Sequence, residues 1–189
     1  MTLRRGFKKE ANDIAREVRK ELDLGFKDPL DPWKLADHLA IPVLPLRSFS
    51  EEAPGAVQHF VKFDTDAFFA VTVFRGPQRV IVHHDALPRT RQASDIAHEL
   101  AHSLLLHPPH PALDHRGCRY WNAEIEQEAE WLAGALLISE EAALMIVRRG
   151  LAISTAAQMF GISKRMVNFR INVTGARTRV DRSRGTWMW

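Results

Sequence analysis

The pentapeptide His98-Glu99-Leu100-Ala101-His102 constrains this chain more than any other feature, because its chemistry requires a helix. Two histidines four residues apart lie about one turn apart on one face, so both imidazoles can reach one ion. Glu99 lies beside the first and can touch a water at that ion without binding the ion itself. Zinc lowers the pKa of such a water towards about 7, and Glu99 then takes its proton. The flanking sequence supplies the helix: Ile96, Leu100, Ser103, Leu104 and His107 recur at helical spacing. Thr90 or Ser94 can cap its start, and Pro108, Pro109 and Pro111 end it.

A site of this type needs a third protein ligand. His110 and His115 are nearby, but position 109, eleven residues after the first histidine, is a proline. A carboxylate from the next helix is the better source, which leaves Glu124, Glu126, Glu128 and Glu130. Measured from the apolar stripe Ile125, Ala129, Leu132 and Leu136, Glu128 lies at roughly 75° and Glu126 at roughly 85°. The other two lie well beyond about 110° and read as solvated. The wheel barely separates Glu128 from Glu126.

The remaining sequence reads as an α+β chain. Residues 8–24 place Ala11, Ile14, Ala15, Val18 and Leu22 on one helical stripe that Gly25 ends. Asp31-Pro32 starts a short helix that Pro42 stops. Residues 41–46 are extended, and 55–63, 67–74 and 79–83 read as three strands of a small antiparallel sheet. A long helix covers 122–147, with a break near Ser139. Residues 154–160, a turn at Gly161-Ile162-Ser163 and 164–173 have the size of a helix-turn-helix. Residues 174–189 are rich in Arg and Gly and read as frayed. The expected organisation is a metallopeptidase-like unit over 1–148, a helix-turn-helix-like segment over 149–175 and a flexible basic tail over 176–189.

Composition narrows the function classes. The 189 residues are 46% hydrophobic and 26% charged, which excludes general disorder. No apolar run is long enough for a membrane span, and the basic start lacks the apolar core of a secretory signal. The single cysteine, Cys118, forms no internal disulfide, which fits a reducing cytoplasm. His38 and His59 read as surface or half-buried, and His83-His84 as a structural pair at a strand end. The net charge of +3 divides into +8 over 145–189 and −5 over the rest. A basic C-terminal fifth reads either as a surface for an acidic partner, nucleic acid or protein, or as a solvated tail.

Residues 97–102, with Leu104-Leu105-Leu106-His107, resemble the ImmA/IrrE family of metallo-endopeptidases. So do Glu126-Gln127-Glu128-Ala129, Ala133 and Leu136-Leu137, and further on Ala156, Phe160-Gly161-Ile162-Ser163 and residues 167–170. The likeness covers about 11–175 and is strong over 97–137. Ala101 stands where the family usually has Gly, Glu130 where it has Asn, Leu132 where it has Phe, and Ile138-Ser139 where it has Met-Pro. The resemblance implies a gluzincin-like fold, zinc as cofactor, and a third ligand at the glutamate before the alanine, which maps to Glu128. It also implies a protein substrate: a helix-turn-helix repressor whose cleavage switches on stress or mobile-element genes, or an antitoxin. A donor for the transition state is also required, and Tyr120 and His115, between the two metal helices, are the candidates. The competing reading is a non-catalytic regulator with a structural or vestigial zinc site, whose basic C-terminal segment binds DNA or a repressor.

Overall fold

The computed structural model describes residues 3–76, 78–108 and 122–185. Its elements follow the order α1 (Phe7–Glu21), α2 (Pro32–His38), β1 (Val43–Pro45), α3 (Pro54–Gln58), β2 (Ala70–Arg75), β3 (Gln78–His83), α4 (Arg89–Leu104), α5 (Ala123–Leu137), α6 (Glu140–Arg148), α7 (Ile153–Phe160), α8 (Lys164–Val173) and α9 (Ala176–Gly185). The fold is α+β and mainly helical. No helix among the described residues is long and apolar enough to cross a membrane.

The sheet is mixed rather than antiparallel, with strand order β1-β3-β2. β2 runs antiparallel to β3, pairing Val71 with Val82, whereas β1 runs parallel to β3, pairing Val43 with Ile81. The cause is the segment expected as a strand over 55–63. It is α3 followed by a single π-helical turn (His59–Phe63), and with a 3₁₀ turn (Leu46–Phe49) it carries the chain across from β1 to β2. Val57, Phe60 and Val61 have i, i+3, i+4 spacing, which makes a helical stripe as readily as a strand. They cover Leu46 and Val82 on one face of the sheet. Ile81, on the other face, enters the main core with Ile96, Ala97 and Leu100 of α4 and Leu132 and Leu136 of α5.

Helix α5 is the centre of that core. All residues from Trp131 to Leu137 are buried, because α1, α4 and α8 pack around it. Its C-terminal end is held by two buried arginines. Arg19 of α1 donates to the Leu136 carbonyl at 2.9 Å, and Arg170 of α8 donates through Nε to the Ile138 carbonyl at 2.9 Å. Cations suit the carbonyl-rich end of a helix. The expected break follows at once: Ile138 is extended, and Ser139 caps α6 by accepting from the Ala142 N–H.

Helices α7 and α8 flank the 161–163 turn, with Gly161 left-handed at the end of α7 and Ser163 capping α8 at the Met166 N–H. The pair is not set apart from the rest. Phe160, Ile162, Val167 and Ile171 belong to the same apolar cluster as Phe7, Leu35 and Leu136. Residues 176–185, expected as frayed tail, are instead α9, which buries Ala176 and Val180 and ties Arg179 to Glu140 of α6. The expectation went wrong because the Arg-rich composition hid the two small apolar positions, four residues apart, that anchor the helix.

Gly134 lies where α8 comes closest to α5. A Cβ there would meet the Arg170 Cδ at 2.8 Å and the Phe169 Cε1 at 3.1 Å. Gly→Ala inside a helix normally stabilises by roughly 0.5–1 kcal/mol. Here the Arg170 side chain is pinned by Ile138 and by the Trp131 ring, 4.6 Å away, and cannot withdraw freely. Gly134→Ala is therefore expected to destabilise the protein by about 1–3 kcal/mol, read as a lower midpoint in urea unfolding. An unchanged or raised midpoint would show that α8 yields.

Candidate metal centre

The two histidines of the pentapeptide project from α4 towards α5, as their spacing demands. Their rings lie 4.8 Å apart between centroids, with the two Nε2 atoms 3.0 Å apart. Glu126, in the first turns of α5, faces them. Its Oε2 lies 3.1 Å from the His98 Nε2 and its Oε1 3.8 Å from the His102 Nε2. One atom from each of these three residues lies within 4.8 Å of the other two. Tetrahedral zinc with bonds of about 2.0–2.1 Å sets its ligand atoms about 3.3 Å apart, so the three donors already have nearly the spacing an ion requires. Two imidazoles and one carboxylate are also a donor set of catalytic zinc, which keeps a fourth position open.

Glu128 is not brought into this group. Its Oε1 accepts from the Arg4 Nε at 2.8 Å, and its Oε2 faces the His107 Nε2 at 3.6 Å. The helical wheel gave the two glutamates similar angles from one stripe. Two residues apart on a helix, however, they project some 160° apart, so they face different neighbours. Because α5 is buried all round near its end, no single stripe marks the side of α4. Glu124 and Glu130 are exposed, as expected.

Glu99 points to the sheet side of the site. Thr72 of β2 donates its hydroxyl to the Glu99 Oε2 at 2.5 Å. Burial raises the Glu99 pKa, and this outweighs the Thr72 hydrogen bond and the nearby His98, which lower it. A carboxylate poised this way accepts and returns a proton more readily near neutral pH than a solvated one does. For His98, burial lowers the pKa, but the Glu126 hydrogen bond and the charges of Glu99, Glu126 and Asp95 prevail and raise it. Nothing in the sequence pointed to Thr72, since its contact with Glu99 depends on how β2 lies over α4.

Neither Thr90 nor Ser94 caps α4. Pro88 stands at the cap position, and the Gln92 side chain donates to the Leu87 carbonyl at 2.6 Å beside it. The other end closes through Leu106, which adopts a left-handed conformation with φ 54°. The Leu106 N–H donates to the Ser103 carbonyl and the His107 N–H to the His102 carbonyl, a closing pattern usually served by glycine. Tyr120 and His115, together with Cys118 and His110, lie outside the described residues. His83 and His84 are buried packing residues: His83 meets Trp33 edge-on, and His84 stacks on Phe68.

A family model described as Peptidase_M78, IrrE N-terminal-like domain, matches residues 46–172. The match takes in β2, both metal helices and most of α8. The chain therefore belongs to this family, which is one of metallopeptidases. No curated protein and no solved structure matches it.

The left-handed Leu106 carries a steric cost of about 1–2 kcal/mol that glycine avoids. Its side chain is 79% exposed and buries almost nothing in return. Leu106→Gly is expected to raise stability by up to about 1 kcal/mol, measured by thermal unfolding, because relief of strain exceeds the added freedom of the unfolded chain. A lower melting temperature would place a missing apolar contact at Leu106.

Proposed function

We propose that this chain is a zinc-dependent endopeptidase, with His98, His102 and Glu126 holding the ion and Glu99 as the proton-transferring base. The convergence of those three donors beside the half-buried Glu99 carboxylate is the observation that carries the reading. Zinc there would supply Lewis acidity towards a water and a substrate carbonyl. The protein's own contributions are separate. Glu99, held by Thr72, takes a proton from water and passes it to the leaving nitrogen. The α4 and sheet side chains around Glu99 remove it from bulk water and keep its proton affinity high.

The sheet supports an extended peptide as substrate. Strand β2 pairs only with β3 among the described residues, so no described strand occupies its outer edge, next to the residue that holds Glu99. An unpaired edge binds an extended chain by main-chain hydrogen bonds. The family resemblance supports a helix-turn-helix repressor or antitoxin as that substrate, acting in the cytoplasm. Tyr120 or His115 would then serve as the oxyanion donor. The alternative of a DNA-binding regulator draws on the basic C-terminal fifth, but part of that charge is spent inside the protein. Arg170 is buried under Trp131 and Arg179 is paired with Glu140.

Two expectations test the reading. The purified protein should hold about one zinc per chain, measured by atomic emission after metal supplementation, and Glu99→Gln should keep that zinc while cleavage of a co-encoded repressor disappears. Near-normal cleavage by Glu99→Gln would remove its assigned role. The second concerns the carboxylate ligand. Glu126→Gln should lower zinc affinity by more than about 100-fold, beyond the 10- to 100-fold typical of residues behind a ligand, and Glu128→Gln should fall within that range. The reverse order would return the ligand to Glu128.

A further inference from the structure

Behind His102, on the side away from Glu126, lies a connected row of side chains that the proposed chemistry does not use. The His102 Nδ1 is 2.9 Å from the His107 Nδ1, with the rings 5.0 Å apart at 66°. The His107 Nε2 faces the Glu128 Oε2 at 3.6 Å, and the Glu128 Oε1 accepts from the Arg4 Nε at 2.8 Å. Arg4 also donates to Glu10 of α1 at 2.7 Å. His107 and Glu128 are both largely withdrawn from solvent, with side chains 10% and 14% exposed. The row runs from the metal helix through the first turns of α5 to the residues that open α1.

Donor and acceptor logic gives the row one direction. If His102 offers Nε2 to an ion, its Nδ1 must carry the ring proton and needs an acceptor. The His107 Nδ1 lies 2.9 Å from it and accepts that proton when it is itself unprotonated. A neutral His107 therefore carries its proton on Nε2, facing Glu128. Glu128 is in turn held as an acceptor by the Arg4 guanidinium. Every member has a compatible role, and reversing one member breaks the sequence at the next. The backbone sets the same geometry. The left-handed turn at Leu106 folds His107 back so that its N–H bonds to the His102 carbonyl at 3.0 Å, tying the same two residues by main chain and by ring.

We propose that His107, Glu128 and Arg4 are positioning residues that fix the tautomer and ring orientation of His102, so that its Nε2 faces the ion. This rests on the reading of His98, His102 and Glu126 as the metal ligands. Partners of this kind, behind a ligating histidine, raise its basicity and metal affinity. Glu128, which sequence reasoning favoured as a ligand, thereby acts on the metal through two histidines rather than directly.

The test is metal binding by the full-length protein, without reference to turnover. Zinc affinity is measured by competition with a chromophoric chelator, and the ligand field is read from the visible spectrum of the cobalt(II)-substituted protein. His107→Leu should weaken zinc binding by about 10- to 100-fold and alter the cobalt bands. His107→Asn, whose amide oxygen can still accept the His102 proton, should recover most of that loss. Glu128→Gln should shift affinity in the same direction by a smaller factor, and should add little in combination with His107→Leu, as expected for members of one chain. Thermal unfolding of the metal-free variants separates loss of fold from loss of affinity, and Glu128→Gln keeps the proposal testable if His107→Leu does not fold. Wild-type affinity and an unchanged cobalt spectrum in His107→Leu would overturn the chain while leaving the metal centre intact. A wild-type protein that binds no zinc would overturn the metal centre itself.

Discussion

The contact between α4 and α5 sets the distance between two histidines on one helix and a glutamate on the other, and the whole site depends on it. Both helices bury alanines, Ala97 and Ala101 on α4 and Ala129 and Ala133 on α5, in one apolar cluster. Small side chains let two helices approach closely, and a close approach lets the short Glu126 side chain span the gap to both imidazoles. The sheet then adds its own constraint. β2 and β3 both touch α4, and that contact brings the Thr72 hydroxyl to Glu99. Helix α4 thus meets Glu126 from one neighbour and Thr72 from another.

Features that depend on spacing along one segment were legible in the sequence. The α4 pentapeptide, the Asp31 cap with Pro32 in the first turn, the break at Ile138-Ser139 and the Gly161 turn all stand where local chemistry puts them. Features set by what lies across a gap were not. The choice between Glu126 and Glu128 depends on which side of α5 meets α4 and which meets the start of α1. A wheel drawn for α5 alone carries no such information. Val57, Phe60 and Val61 fit two periodicities, and only their fit over Leu46 and Val82 selects the helical one. The parallel pairing of β1 follows from that same segment, because a helical crossover allows it where a hairpin would not.

The two arginines at the end of α5 divide the cost of a buried charge differently. Arg19 gives hydrogen bonds to three carbonyls, of Gly25, Asp28 and Leu136. Arg170 gives one, to Ile138, and its Nη1 and Nη2 have no hydrogen-bond partner among the described residues. Burial pushes its pKa down to about 9, so it remains a cation at neutral pH. The Trp131 ring 4.6 Å from its guanidinium offsets part of that cost, by about 2 kcal/mol for a desolvated pair.

That arrangement determines where the protein can be divided. Arg170 comes from α8, beyond the metal helices, yet it fills the space above Gly134 and satisfies the carbonyl that ends α5. A fragment stopping after α6 would carry all three proposed metal ligands but would leave a hollow over Trp131 and an open helix end. The C-terminal helices are thus a keystone for the half that holds the candidate metal site, not a passenger attached to it. Packing alone thus ties residue 170 to the end of α5, and the family match likewise runs on to 172.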